Sequence, residues 1–180
     1  MFSISLSLAL GALSPSLPAA WVAQNSAVAV CFLPEEDCAA FVIRAIDNAE
    51  SEILVSAYGL TTGSGIVEAL ARAKHRGVDV RLIADKTTPC GRNSGVPLLA
   101  EVGVPIWIDD HARIAHEKAM VIDEAVVLTG SYNWTRGAAE NSEDVNLISS
   151  PTGAAAYAAH WHNRLALRAT TETFRRRGGR

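Results

Sequence analysis

Residues 116–135 read HEKAMVIDEAVVLTGSYNWT and contain two short apolar runs, at 118–123 and 125–130. Asp123 and Glu124 lie at the bend between the runs, and this pattern predicts a β-hairpin. The two outer ends of a hairpin lie side by side, so polar residues at both ends are brought together. We therefore predict a polar site at the open end of this hairpin, supported by its apolar strands.

The polar groups at the open end have the spacing that places them on one face of the strands. His116 and Lys118 are two residues apart, as are Ser131 and Asn133, and side chains two apart on a strand point the same way. Ammonium, hydroxyl and amide groups donate well to phosphate, and an imidazole can attack phosphorus or transfer a proton. A lone HxK pair would suit an ordinary surface histidine equally well, but the joint pattern predicts a phosphate pocket.

Strand and helix patterns alternate through the rest of the chain. The alternation indicates an α/β fold, a mixed β-sheet with helices on both faces, within one domain at residues 24–170. Further strands are predicted at 27–32, 52–58, 78–84, 104–108 and 145–150, and helices at 35–49, 66–76, 96–102 and from 151 onward, where Tyr157, Trp161 and Leu165 have the spacing of a core-facing stripe.

The HxKxxxxD pattern at 116–123, followed by GSxN at 130–133, resembles the phospholipase D superfamily. The segments AIDNAESEILVSAYGLT, ALARAKHRGVDVRLIADK, AEVGVPIWID and HWHNRL are also similar to the small bacterial endonucleases of that superfamily. The resemblance covers residues 27–168. It implies a phospholipase D-like fold and a phosphodiesterase that acts through a phosphohistidine intermediate.

The resemblance implies a role for each residue of the pocket. His116 corresponds to the nucleophile of the family. Lys118 and Asn133 correspond to the residues that bind the non-bridging phosphate oxygens and offset charge in the transition state. Ser131 is expected to support the same pocket.

Three further residues take their expected roles from the same motifs. Glu143, in the segment NSE, matches the family glutamate that orients an imidazole, but this segment is one residue shorter than the family pattern and leaves Glu140 as an alternative. Asp123 and Gly130 are expected to be structural, with Asp123 capping the hairpin bend rather than contacting substrate.

The chain contains a single HxK motif, whereas the family uses two for each active site. One histidine attacks phosphorus, and the other protonates the leaving oxygen and later activates water. His75, His160 and His162 lack a lysine partner and are expected to be surface residues, while His111 lies in the loop before the motif. We therefore expect a homodimer whose two-fold axis brings His116 of both copies into one dimeric active site.

This scheme requires no cofactor and no metal ion, and no Asp/Glu/His cluster with ligand spacing is present in the sequence. The expected substrate is a nucleic acid, either DNA or RNA, and the alternative is a phospholipid. A lipid site would need an exposed apolar rim, for which 95–100 is a candidate that also reads as a core helix. A catalytically silent binding module is a third interpretation, which the intact set of pocket residues argues against.

Contacts with a nucleic acid would have to be local. The net charge is −3 for the whole chain, and −7 when the four arginines of the terminal segment FRRRGGR are set aside. Such a balance does not indicate a strongly cationic nucleic-acid binder. Candidate backbone-binding residues are Lys86, Arg92, Arg113 and Arg136, and Trp134 is a candidate for stacking on a base, although burial of Trp134 is an equal interpretation.

Residues 1–23 combine an apolar run with small residues, as a signal peptide does, but lack its basic start. We expect export to the periplasm or the medium, with a buried N-terminal helix or a membrane anchor as alternatives. In an exported protein Cys31 and Cys38 can form a disulfide, although two buried thiols fit the spacing equally. Residues 171–180 form a basic tail that is expected to be solvated.

Overall fold

Strands and helices follow one another in the predicted order within residues 26–167, which the computed structural model describes. The predicted signal peptide at 1–23 and the basic tail at 171–180 lie outside the described residues. The strands are β1 (Ala27–Leu33), β2 (Glu52–Ala57), β3 (Asp79–Asp85), β4 (Ile106–Asp109), β5 (Lys118–Ile122), β6 (Val126–Gly130) and β7 (Glu143–Ser149). The helices are α1 (Cys38–Asp47), α2 (Ile66–His75), α3 (Val96–Glu101) and α4 (Pro151–Ala166), and short 3-10 helices lie at Thr88–Cys90 and Gly137–Glu140.

The strands form one mixed sheet in the order β1-β7-β6-β5-β2-β3-β4. Strands β2, β3 and β4 are parallel and are connected through α2 and α3, because parallel neighbours need crossover connections. The pairs β2–β5, β5–β6, β6–β7 and β7–β1 are antiparallel. This arrangement confirms the predicted mixed sheet.

Helices cover both faces of the sheet, as predicted. Helices α1, α2 and α3 pack on one face around buried residues such as Ile46, Leu70 and Leu99. Helix α4 packs on the other face, where Trp161 is buried and its indole N–H donates to the carbonyl oxygen of Val55 at 3.0 Å. No helix within residues 26–167 is both long enough and apolar enough to cross a membrane.

The predicted core-facing stripe of α4 is only partly correct. Trp161 is buried and Leu165 packs against the same cluster, but Tyr157 is 38% exposed. Tyr157 lines an open cavity together with strand residues such as Ala119 and Thr129.

A disulfide joins Cys31 near the end of β1 to Cys38 at the start of α1. Of the two interpretations left open by the sequence, the structure therefore has the bonded one. Cys90 is a free, exposed thiol. The carboxylate of Asp37, the residue before Cys38, accepts a hydrogen bond from the backbone N–H of Ala40 at 2.9 Å and caps the start of α1.

The sheet directs its functional loops to one edge. The carboxyl ends of the parallel strands β2, β3 and β4 share this edge, and antiparallel pairing brings the start of β5, the end of β6 and the start of β7 to it. We refer to it as the site edge, marked by Ala57, Asp85, Lys118, Gly130 and Glu143. The open end of the predicted hairpin is at its centre.

Candidate active site

His116 and Lys118 are in direct contact at the centre of the site edge. The ammonium nitrogen Nζ of Lys118 lies 2.8 Å from Nδ1 and 3.2 Å from Nε2 of His116. The same ammonium donates to the carbonyl oxygen of His116 at 3.0 Å. Lys118 is only 7% exposed, whereas the imidazole is open to solvent. A buried cation is thus held beneath a ring that a substrate can reach.

Tyr58 supports both residues, although no local sequence signal marks it as part of the site. Its ring centroid lies 4.3 Å from that of His116, and Nζ of Lys118 lies 5.1 Å from the Tyr58 ring centroid. The Tyr58 backbone N–H donates to the carbonyl oxygen of Glu117 at 2.9 Å. Tyr58 directly follows β2, and β2 pairs with β5 so that Ala57 opposes Lys118. Only the register of these distant strands brings the ring to the site.

Burial controls the electrostatics of Lys118. Desolvation lowers the pKa of its ammonium below the ordinary value of 10.5, and the nearby carboxylate of Glu143 opposes that shift. Glu143 is therefore close enough to act on Lys118, and it accepts a hydrogen bond from the side-chain amide of Asn141 at 3.1 Å. Glu140 lines a separate cleft with Arg136. The geometry thus favours Glu143 over Glu140 as the carboxylate of the pocket.

Ser131 is fixed by Asp144, a second residue that no local sequence signal marks as part of the site. The Ser131 hydroxyl accepts from the backbone N–H of Asp144 at 3.0 Å, and the Ser131 N–H donates to the carbonyl oxygen of Asp144 at 3.1 Å. The hydroxyl hydrogen remains able to donate to a bound group. Gly130 is required at the preceding position, since a Cβ there would lie 2.2 Å from the Asp144 carbonyl oxygen.

Asn133 presents a polar atom that lacks a partner. Its Oδ1 atom is buried and makes no hydrogen bond within the described residues. Leaving such an atom unpaired costs about 1–3 kcal/mol, which a bound ligand can relieve. Rotating the amide places its NH₂ group in the same position, where it would donate to a phosphate oxygen.

Asp123 lies at the opposite end of the hairpin and holds another part of the fold. Asp123 and Glu124 both have positive φ, 51° and 54°, as a tight hairpin turn requires. The Asp123 carboxylate accepts from the N–H groups of Glu50, Ser51 and Glu52 and from the Ser51 hydroxyl, at 2.7–3.0 Å. It therefore fastens the entry to β2, rather than capping its own bend as we expected.

Two buried aspartates hold the loop that leads into His116. Asp85 accepts from the Thr87 N–H and hydroxyl at 2.9 and 2.6 Å and from the Ala115 N–H at 2.7 Å. Burial alone would raise the pKa of Asp85, but these hydrogen bonds and nearby Lys86 outweigh it, so the pKa is lowered. Asp109 accepts from the Arg164 guanidinium at 3.0 Å, which ties the same loop region to α4.

The residues predicted to bind a nucleic-acid strand differ in their exposure to solvent. Lys86, Arg92, Arg113 and Arg136 are exposed, and Lys86 donates to the carbonyl oxygen of Ala112 at 3.4 Å. Of the two interpretations of Trp134, stacking on a base and burial, the structure has burial. Its side chain is fully buried and its indole N–H donates to the carbonyl oxygen of Ser56 at 3.3 Å, so no base can reach the ring.

His160 is exposed but is not an isolated surface histidine. Its Nε2 atom lies 2.7 Å from a carboxylate oxygen of Glu117, the residue between His116 and Lys118. The pair borders a cavity of about 470 Å³ that is also lined by His116, Lys118, Ala119, Thr129, Gly130, Ala156 and Tyr157. Within residues 26–167, no three His, Cys, Asp or Glu side chains are grouped so as to hold a metal ion.

Comparison with known proteins identifies the family. The family model described as "Cardiolipin synthase, PLD-like domain" matches residues 42–166. A protein of Rickettsia felis named Phospholipase D is 37% identical over 143 residues, which cover 79% of this chain and 71% of that protein.

Solved structures of the phospholipase D family have a similar fold. The phospholipase D family member Nuc from Salmonella typhimurium superposes with a TM-score of 0.76 at 33% identity, covering 84% of this chain and 99% of Nuc. NucT from Helicobacter pylori shares the fold, with a TM-score of 0.70 at 21% identity over 78% of this chain and 96% of NucT. The chain that brings His116, Lys118 and Asn133 to one sheet edge therefore belongs to the phospholipase D superfamily, as a phosphodiesterase of that superfamily.

Proposed function

We propose that the protein is a homodimeric endonuclease that hydrolyses phosphodiester bonds of nucleic acids through a phosphohistidine at His116. The observation that carries this proposal is the contact between a buried ammonium, Lys118, and an exposed imidazole, His116. Such a pair offers a nucleophile that substrate can reach and a fixed positive charge for the phosphate that it attacks.

In the first step, an imidazole nitrogen of His116 forms a bond to phosphorus while the bond from phosphorus to the leaving oxygen breaks. Lys118 and the amide of Asn133 stabilise the charge on the non-bridging oxygens, and Ser131 donates from the neighbouring turn. The leaving oxygen takes a proton from a general acid. In the second step, water attacks phosphorus and gives a proton to the group that acted as the general acid. The bond between phosphorus and the imidazole nitrogen of His116 then breaks, which frees the imidazole.

The general acid requires a second imidazole. The chain contains one HxK motif, and the only other described histidine bordering the His116 cavity is His160, which is paired with Glu117. A two-fold axis passing close to the site edge would supply His116 of a second copy. Each copy would then serve either as nucleophile or as acid, and the active unit is the homodimer.

Two features support a nucleic acid as substrate. The resemblance in sequence extends to the small bacterial endonucleases of the superfamily. The segment considered as an apolar rim for lipids forms α3, where Val96 and Leu99 are fully buried. The main surface feature expected for a lipid substrate is therefore part of the core.

Phospholipid hydrolysis is the second candidate. The Rickettsia relative is named Phospholipase D. Ile114, two residues before His116, is 49% exposed and borders the loop at the site edge. An exposed apolar side chain at this position could rest against acyl chains.

We also propose that the protein is exported to the periplasm or the medium. The pattern of residues 1–23 supports this location. The disulfide between Cys31 and Cys38 supports it independently, since such bonds persist in oxidising compartments.

The decisive experiment supplies three substrates to the purified protein in EDTA: supercoiled plasmid, single-stranded RNA and phosphatidylcholine vesicles. Nicking of the plasmid without release of choline supports the endonuclease, and His116→Asn serves as the inactive control. Release of choline with an intact plasmid would replace the proposal by the lipid alternative. Activity that disappears in EDTA and returns with a divalent ion would refute the metal-independent mechanism.

A further inference from the structure

A polar cleft of about 500 Å³ is lined by Thr135, which lies two residues after Asn133. We call it the threonine cleft, and its polar side chains are Thr61, Thr62, Asn93, Thr135, Arg136 and Glu140. These residues come from the loops after β2, β3 and β6. Neither the attack by His116 nor the hydrolysis of the phosphohistidine involves a residue of this cleft.

The walls of the threonine cleft are hydrogen-bonded to one another. The Thr61 N–H donates to the carbonyl oxygen of Trp134 at 3.1 Å, and the Thr62 N–H donates to that of Asn93 at 2.9 Å. The Arg136 N–H donates to the Thr61 hydroxyl at 3.2 Å. A ligand therefore meets a cleft that is already formed and need not order three loops.

The loop that follows β2 contributes both to the reacting centre and to the cleft. Tyr58 packs on His116, and Thr61 is three residues further along the same loop, a distance of at most about 10 Å. Between them Gly59 passes close to Asn133, since a Cβ at Gly59 would lie 3.3 Å from Oδ1 of Asn133. A phosphodiester bound at His116 would therefore have its neighbouring group within reach of the cleft.

The donors and acceptors of the cleft suit a nucleotide. The exposed Arg136 offers a planar set of donors to one phosphate. The hydroxyl of Thr62 donates to the carbonyl oxygen of Asn93 at 3.4 Å and can still accept from a sugar or a base, whereas the side-chain amide of Asn93 can both donate and accept. Glu140 would repel a second phosphate, but its carboxylate can accept from a sugar hydroxyl or a base amino group. An acyl chain would leave these polar groups unpaired.

We propose that the threonine cleft is a subsite for the nucleotide next to the scissile phosphate. Arg136 binds the flanking phosphate, and Thr62 and Asn93 contact the sugar or base. This inference rests on the proposed endonuclease function and deepens it. The cleft makes a polynucleotide a better substrate than an isolated phosphodiester of the same reactivity.

The test compares two substrates, a single-stranded DNA oligonucleotide and bis(4-nitrophenyl) phosphate, which has no flanking nucleotide. For Arg136→Ala we expect kcat/KM to fall about tenfold more on the oligonucleotide than on the small diester, mainly through KM. Arg136→Glu should widen this difference, and Asn93→Ala should reproduce it in part. Arg44→Ala, which removes an exposed charge from α1, is the matched control and should leave both activities unchanged.

The outcomes separate the two proposals. If the wild-type protein cleaves the oligonucleotide and Arg136→Ala and Arg136→Glu lower both activities equally, the subsite is wrong and the endonuclease stands. If the wild-type protein cleaves the small diester but no nucleic acid, the endonuclease is wrong and the subsite with it. Circular dichroism melting of each variant verifies that the fold is kept.

Discussion

Nζ of Lys118 lies 2.8 Å from Nδ1 of His116, and this ammonium is almost completely buried while the imidazole is exposed. The positive charge and the nucleophile therefore lie at different depths of the pocket. The cation is held rigidly inside, where water screens its charge least. The nucleophile lies above it, where a substrate can approach.

Replacing the nucleophile should abolish turnover without disturbing assembly. For His116→Asn we expect kcat on bis(4-nitrophenyl) phosphate to fall by at least about 10³-fold, because the imidazole that forms the bond to phosphorus is removed. Sedimentation should still give the mass of a dimer. His75→Asn, an exposed residue of α2, is the control. Turnover at the wild-type rate would refute the assignment of the nucleophile.

A mixture of active and inactive chains tests the shared site. If both His116 side chains serve one reaction, a dimer with one His116→Asn chain is inactive. Co-refolding equal amounts of the two chains should then leave about one quarter of the wild-type activity. Independent sites would leave about one half instead. Native mass spectrometry of differently tagged chains measures how far the subunits have exchanged.

The alkaline limb of the pH profile should report Lys118. Its pKa is lowered by burial, with Glu143 opposing, so the ammonium loses its proton below the ordinary value of 10.5. In that range kcat/KM should fall as the positive charge disappears. Between the lowered pKa and 10.5 the unfolded chain still holds this proton, so the contribution of Lys118 to the free energy of unfolding rises with pH. Melting measurements can therefore distinguish deprotonation from unfolding, and Lys118→Arg should move the limb to higher pH. An unchanged limb in that variant would contradict the assignment.

The ring of Tyr58 should matter more than its hydroxyl. Its contacts with His116 and Lys118 are made through the ring. We expect Tyr58→Phe to retain most of the activity and Tyr58→Ala to lower kcat about 10- to 100-fold, because a loosened imidazole is poorly aligned for attack. Single-turnover rates with bis(4-nitrophenyl) phosphate would measure this. Equal losses in the two variants would show that the hydroxyl has the essential role.

Asp123 should contribute to stability rather than to chemistry. Its carboxylate accepts four hydrogen bonds from residues 50–52, so Asp123→Ala should lower the free energy of unfolding by about 2–3 kcal/mol. Burial raises the pKa of Asp123, but the hydrogen bonds outweigh it and lower the pKa below 3.8. The stabilisation is therefore complete above 3.8 and is lost as pH falls through the folded pKa.

Urea unfolding at several pH values checks this dependence. The difference between wild type and Asp123→Ala should be largest near neutral pH and should shrink in acid. The neighbouring exposed Glu124→Gln is the matched control, with little expected effect. If both variants unfolded at the same urea concentration, Asp123 would not have the structural role that its contacts indicate.

Much of the fold and the centre of the site follow from local sequence. The hairpin at 118–130 is specified by two apolar runs and a tight turn, and its geometry alone brings His116 and Lys118 to the same edge as Ser131 and Asn133. The same local signals place the other strands and helices in the correct order. They do not specify side-chain burial at ambiguous positions. Tyr157 was therefore expected in the core and is exposed.

The remaining parts of the site depend on contacts between distant segments. Tyr58 reaches His116 because β2 pairs with β5 in one register, and Trp134 is buried because its loop bridges to Leu60. An indole can stack on a base or fill a core, and only its surroundings decide between them. The threonine cleft likewise exists only where three loops meet. The amino-acid sequence by itself determined the catalytic hairpin, since its parts are neighbours along the chain. The tertiary structure decided what surrounds it, because strand register and burial are properties of the assembled sheet.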